Sequence, residues 1–213
     1  MAIDASGTLY TTVFRPQPVA GDYLVTLVRE RGAWIPKVGP RVGDVRALAF
    51  ARDGTLFAMR TDGMKNQLYT VDTGTGGLRL VGYPGVPGIQ ALDFGPDGRL
   101  YGFDVGDGSG TGVGLVRIDP VTALATDVDP AVDGRAVDVQ TLAFAPDGTL
   151  YGAHENLFVV DLNTGGLTLV GPIESVPTGI RGMVWIPEPS TLTALATLAA
   201  ALLLAHLWRK RKR

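Results

Sequence analysis

The apolar positions of residues 1–185 fall in short runs with a period of two, and none of that region carries a helical period. Around Leu142 and Phe144, large apolar residues alternate with smaller ones, as in a strand that buries at least one face. Asp147-Gly148 follows, a dipeptide that tolerates positive φ and can turn one strand back on the next. Leu150 and Tyr151 open a second strand, and Leu157 to Val160 lie in a third. The four residues Asn163, Thr164, Gly165 and Gly166 predict another turn, with a fourth strand from Leu167 to Val170.

This unit recurs. Residues 45–57 (VRALAFARDGTLF) and 89–101 (IQALDFGPDGRLY) repeat residues 139–151 (VQTLAFAPDGTLY). The second halves repeat as well, with 67–82 (QLYTVDTGTGGLRLVG) matching 156–171 (NLFVVDLNTGGLTLVG) and a shorter match at 114–122. A more divergent copy opens the chain with residues 1–10, 23–28 and 34–39. The turn glycines Gly7, Gly54, Gly98 and Gly148 stand 44 to 50 residues apart. Four short strands in each such interval correspond to one blade of a β-propeller, so the expected fold class is all-β with about four four-stranded blades. The recurring Asp72, Asp119 and Asp161 close third strands and are expected to fix the following turns through their side chains.

The turn motifs resemble those of YncE-like propellers and six-bladed lactonase or lyase propellers, which share strand–Pro-Asp-Gly–Leu-Tyr and Asp-x-x-Thr-Gly signatures. The resemblance covers roughly residues 1–185 and implies architecture far more than activity. Met1 aligns with Leu142, so the first copy lacks the start of its innermost strand. Residues 180–185 (IRGMVW) align with 139–144 and are expected to supply it, closing a four-bladed ring. A truncated start to a larger propeller would explain the same alignment.

The pattern changes after Trp185, which separates a propeller domain, 1–185, from a tail, 186–213. Pro187 and Pro189 remove two ladder donors. Residues 191–208 then hold seven Leu, six Ala and no charged Asp, Glu, Lys or Arg. A helix of that length spans about 27 Å, just short of the ~30 Å hydrocarbon core, and is expected to cross a membrane. Five basic residues follow, Arg209, Lys210, Arg211, Lys212 and Arg213, a stop-transfer run expected to stay cytoplasmic.

Pro187-Glu188-Pro189-Ser190, the apolar span and the basic end, in that order, resemble the PEP-CTERM sorting signal of Gram-negative bacteria. That resemblance implies that the partner is an exosortase, a membrane protease that cuts near the motif. Glu188 would be its recognition group and Pro187 and Pro189 the residues that keep the peptide extended. The same resemblance implies an inner-membrane precursor with a single span, then a body released to the cell surface or exopolysaccharide matrix. Family members start with a secretory signal, and residues 1–7 (MAIDASG) show neither a basic nor an apolar signal region. An upstream start, a fragment, or a tail anchor with a cytoplasmic body would each account for this.

Composition narrows the chemistry. There is no Cys among the 213 residues, which excludes disulfides, thiolate metal sites and thiol nucleophiles. Without the five tail residues the chain carries 14 basic against 21 acidic groups, a charge that disfavours nucleic acid. His154 and Asp93 are the distinctive polar candidates for a lyase- or lactonase-like metal site, although His154 reads better as a satisfied loop residue. Asp104 and Asp107 in a Gly-rich stretch could offer oxygens to Ca²⁺, but they lack the EF-hand spacing and a strand connection is the simpler reading. No nucleophile–base pair or cofactor motif is present, so no cofactor is expected. The combined expectation is an exported binding or structural module, with a metal-dependent propeller enzyme as the alternative.

Overall fold

The computed structural model describes residues 1–15, 21–30, 33–62, 65–106, 112–129, 139–174 and 179–186. The sorting motif from Pro187 to Ser190, the apolar span, His206, Arg209 to Arg213 and Asp107 lie outside the described residues. Among the described residues no helix is long and apolar enough to cross a membrane.

Sixteen strands form four antiparallel sheets in which each strand pairs only with its neighbours in sequence. The first blade holds β1 (Ala2–Ile3), β2 (Leu9–Arg15), β3 (Gly21–Glu30) and β4 (Ala33–Arg41). The second holds β5 (Val45–Phe50), β6 (Leu56–Asp62), β7 (Lys65–Val71) and β8 (Leu78–Gly82). β9 (Ile89–Phe94), β10 (Leu100–Asp104), β11 (Gly114–Ile118) and β12 (Ala125–Asp127) make the third. β13 (Thr141–Phe144), β14 (Leu150–Ala153), β15 (Asn156–Val160) and β16 (Leu167–Pro172) make the fourth. The fold is a β-propeller of four blades.

Both faces of an inner strand are buried, which is why the sequence alternates large with small residues rather than apolar with polar. In β13 all four residues, Thr141, Leu142, Ala143 and Phe144, are buried. The seams follow one rule. Leu92 packs toward the second blade in a cluster with Ala47, Ala49, Phe57 and Met59. Leu142 packs toward the third with Ala91, Tyr101 and Phe103. Leu48 and Leu56 pack toward the first with Ala2 and Leu24. Each of the three later blades thus sets a Leu from its inner strand against the preceding blade's small residues. An aromatic pair crosses each seam, Tyr10 to Phe50 at 5.0 Å, Phe57 to Phe94 at 5.5 Å and Tyr101 to Phe144 at 5.4 Å between ring centres.

The series stops at the fourth blade. Val81 and the equivalent Val128 pack against the core clusters of the following seams. Val170 occupies the same place and is 56% exposed. Added to Gly82, a Cβ would lie 2.6 Å from the carbonyl of Thr122 in the next blade, whereas one on the equivalent Gly171 would meet nothing within 4 Å. Among the described residues no buried cluster joins the fourth blade to the first.

Residues 180–185 do not form the first blade's inner strand, contrary to the expectation from alignment. β1 holds the Leu9–Tyr10 end of β2's edge, with Ala2 opposite Tyr10 and Ile3 opposite Leu9. The segment carries no strand pairing and is placed instead by the Ile180 N–H, which donates to the His154 carbonyl at 2.9 Å.

The turns behave as the sequence predicts. Gly7, Gly54, Gly98 and Gly148 take φ of 83°, 86°, 79° and 87°. The carboxylates of Asp53, Asp97 and Asp147 accept the N–H groups of Thr55, Arg99 and Thr149 at 2.9, 3.0 and 2.9 Å. At the second turn of each later blade, Asp72 accepts from Gly74 and Thr75, Asp119 from Val121 and Thr122, and Asp161 from Asn163 and Thr164. These bonds, with no compensating burial, hold the three carboxyls below the usual carboxylate range.

Gly148→Val tests the origin of this turn. A Cβ there would only touch Pro96 at 3.6 Å, so the cost is conformational, about 1 kcal/mol or more for a β-branched residue at positive φ. Thermal unfolding should fall by about 2–4 °C for a chain of this size; an unchanged midpoint would mean that positive φ is not what glycine supplies here.

Candidate functional site

The inner strands run in one direction along a common axis, and their first residues surround an opening. Val45-Arg46 opens β5 and Ile89-Gln90 opens β9, an apolar residue followed by a polar one, and Val139-Gln140 stands just ahead of β13. Ile180-Arg181 repeats the pair on the segment that follows the fourth blade. Arg46, Gln90, Gln140 and Arg181 line one cavity of about 410 Å³ at this mouth. Thr11 and Thr12 of β2, together with Asp22 and Asp44, complete its polar wall.

Within the mouth Arg46 pairs with Asp44 at 3.0 Å, which fixes its guanidinium beside the opening. The Asp22 carboxylate accepts the Val45 N–H at 3.3 Å. Partial burial raises the Asp22 carboxyl above its ordinary range, opposed by that amide and reinforced by the charge of Asp44. The lining combines guanidinium, carboxamide, hydroxyl and carboxylate groups, so it can donate and accept several hydrogen bonds around one bound molecule. Sequence reasoning missed these residues. The available signal was the polar second residue of each repeat, which varies between Arg and Gln while the apolar residue before it stays Val or Ile.

Neither His154 nor Asp104, both taken from the sequence as polar candidates, joins the mouth. His154 is buried at the start of the turn between β14 and β15, with Gly179 against its ring and its carbonyl holding Ile180. That is a packing and anchoring role. Asp104 is fully buried, and its carboxylate accepts the N–H groups of Gly88 at 2.7 Å and Val113 at 3.0 Å. Its oxygens are consumed by the strand connection, as the simpler sequence reading holds. Among the described residues no group of three or more His, Asp or Glu side chains is placed to hold a metal.

Asp93 stands lower on the axis, where the other repeats have Ala2, Ala49 and Ala143. It lines a cavity of about 210 Å³ with Phe50, Phe94, Phe144, Met183 and Val184. Its carboxylate accepts Phe94 N–H at 2.9 Å and, across the seam to the fourth blade, Phe144 N–H at 2.7 Å. Burial pushes the Asp93 carboxyl up to about 6, more than these two amides pull it down.

The linkage sign follows from a folded value above the unfolded one. Between about pH 4 and 6 the folded chain binds the extra proton, so this group's contribution to stability falls as pH rises through that window. Asp93→Asn keeps an acceptor for Phe144 and removes the titration. The variant should gain on the parent progressively from pH 4 to pH 7, by on the order of 1 kcal/mol once solvent screening of the half-buried group is allowed for. Urea unfolding of both proteins at four pH values in that range measures the difference. A constant difference would show that Asp93 is not the titrating group.

No protein-family model matches the chain, and no curated protein matches it in sequence. Solved structures share its fold. A nidogen/laminin complex aligns over 83% of this chain and 65% of its own, with a TM-score of 0.57 and 12% identity. TolB from Acinetobacter baumannii aligns over 80% and 42%, with a TM-score of 0.53 and 16% identity. A gluconolactonase from Xanthomonas campestris aligns over 84% and 62%, with a TM-score of 0.51 and 16% identity. The chain therefore spans less than two thirds of each of these structures, and the likeness, at such identity, is one of β-propeller architecture.

Proposed function

We propose that this chain is an exported β-propeller that binds a hydroxyl-rich, saccharide-class ligand at its axial mouth, as a component of the cell surface or exopolysaccharide matrix. The observation that carries the reading is the mouth itself. Four repeat-equivalent positions converge there with Arg46, Gln90, Gln140 and Arg181, and two threonine hydroxyls and two carboxylates stand among them. Planar amide and guanidinium groups set beside carboxylates match the paired donor and acceptor of vicinal hydroxyls. The tail supports the destination: Pro187-Glu188-Pro189, the apolar span and Arg209 to Arg213 form an exosortase signal in this reading, with Glu188 as the group the protease recognises.

The competing reading is a lactonase-like enzyme, favoured by the gluconolactonase among the structures of this fold. It requires a metal held by several blades, and the described residues do not fit one. A stoichiometric divalent ion in the purified protein, together with lactone hydrolysis, would replace the binding reading.

Calorimetric titration of the protein with polysaccharide fractions tests ligand binding. Gln90→Ala combined with Gln140→Ala removes two hydrogen-bonding groups and should weaken binding about tenfold, the equivalent of about 1.4 kcal/mol. Affinity that survives the double substitution would place the ligand elsewhere. For the tail, the mass of the mature C-terminus in an exosortase-bearing host supplied with an export signal is the measurement. Glu188→Ala should leave an uncut, membrane-bound form, and full chain through Arg213 in the extracellular fraction would refute processing.

A further inference from the structure

The segment after the fourth blade threads the axis from one end to the other. Ile180 is tied to the His154 carbonyl at 2.9 Å, and Arg181 and Gly182 line the mouth. Met183 and Val184 stand beside Asp93 and Phe144 midway. Trp185 reaches the opposite end, in a cavity of about 470 Å³ whose walls include Arg52, Gly54, Pro96 and Pro146. Those four residues belong to the turns between first and second strands, so the chain leaves the propeller at the turn face. Ile186, the last described residue, is 46% exposed there.

Only four residues, 187–190, separate Ile186 from the apolar stretch that starts at Thr191. Fully extended, the five Cα–Cα steps from Ile186 to Thr191 reach about 18 Å. To bring the mouth end to the anchor, the tether would have to pass from the axis across a four-stranded blade, about 14 Å, and then along the length of a strand such as β5, about 17 Å, so it is shorter than that path. The body has too little slack to roll over and bring its other end to the anchor.

We propose that the turn face is the surface apposed to a lipid bilayer and that the polar mouth is held away from it, open to the surroundings. The proposal rests on the reading of residues 191–208 as a membrane span. It adds an orientation that the span alone does not dictate, because a tail leaving at the mouth end would have presented the opposite face. The turn face suits that position. Asp53, Asp97 and Asp147 are exposed and hydrogen-bonded within their own turns, which gives a solvated surface that faces headgroups without inserting.

The absence of cysteine makes a site-specific test direct. Single-cysteine variants of the full chain, Pro146→Cys on the turn face and Arg46→Cys at the mouth, are labelled with a fluorophore. They are reconstituted into phosphatidylcholine–phosphatidylglycerol vesicles that carry a headgroup spin label as quencher. The label at position 146 should be quenched several-fold more than the label at position 46. Pro96→Cys, on a neighbouring turn, should repeat the result and guards against a local disturbance by one label. Chain that floats with the vesicles but is quenched equally at both ends, or more at the mouth, overturns the orientation and leaves the anchor standing. Chain that fails to float with vesicles overturns the anchor, and the orientation with it.

Discussion

Everything in this structure depends on one contact repeated three times, the packing of a blade's inner and second strands against the next blade. A four-stranded sheet that is apolar on both faces cannot stand in water alone. Leu92 against Ala47 and Ala49, and Leu142 against Ala91, show how two such sheets close on each other with a large residue filling the space a small one leaves. The aromatic pairs extend the seam outward, each joining a second-strand ring to the last residue of the next inner strand, as Tyr101 meets Phe144. A fully buried aliphatic or aromatic side chain contributes about 1.5–3 kcal/mol, so these seams dominate the energetics, and the exposed ion pairs such as Arg99 with Asp97 add little.

The same repetition creates the axis, and the axis creates the site. Because every inner strand runs the same way, equivalent residues meet at equivalent heights. Polar second residues collect at the mouth, and Phe50, Phe94 and Phe144 collect lower down near the turns. Asp93 interrupts this symmetry. Its carboxylate replaces a methyl group, reaches across the third seam to the Phe144 amide, and is held at the cost of its own desolvation. A carboxylic acid buried at this seam makes the seam's stability depend on pH.

Among the described residues the series of seams ends at the fourth blade. Val170 is exposed where Val81 and Val128 are covered, and Tyr151 has no ring partner among the described residues where Tyr10, Phe57 and Tyr101 each have one. The proteins that share this fold are longer, the chain spanning 42–65% of the three described above.

Blade number, strand order, turn positions and the Asx bonds of Asp72, Asp119 and Asp161 were legible in the sequence because each is local. A period of two, an Asp-Gly dipeptide or an Asp followed by Thr-Gly acts through residues a few positions apart, and four copies repeat the message. Asp104 was legible as structural, but its partners Gly88 and Val113 sit in two different strand connections, a pairing that no local pattern shows. The mouth was not, because Arg46, Gln90, Gln140 and Arg181 are 41 to 50 residues apart along the chain and become neighbours only when blades wrap an axis. The path of residues 180–185 was misread for a related reason. Alignment assigned them the first blade's inner strand, but β1 holds the Leu9–Tyr10 end of β2, and residues 180–185 pair with no strand. Local pattern determines which strands form; only the closure of sheets around a shared axis decides where the remaining chain goes and what it lines.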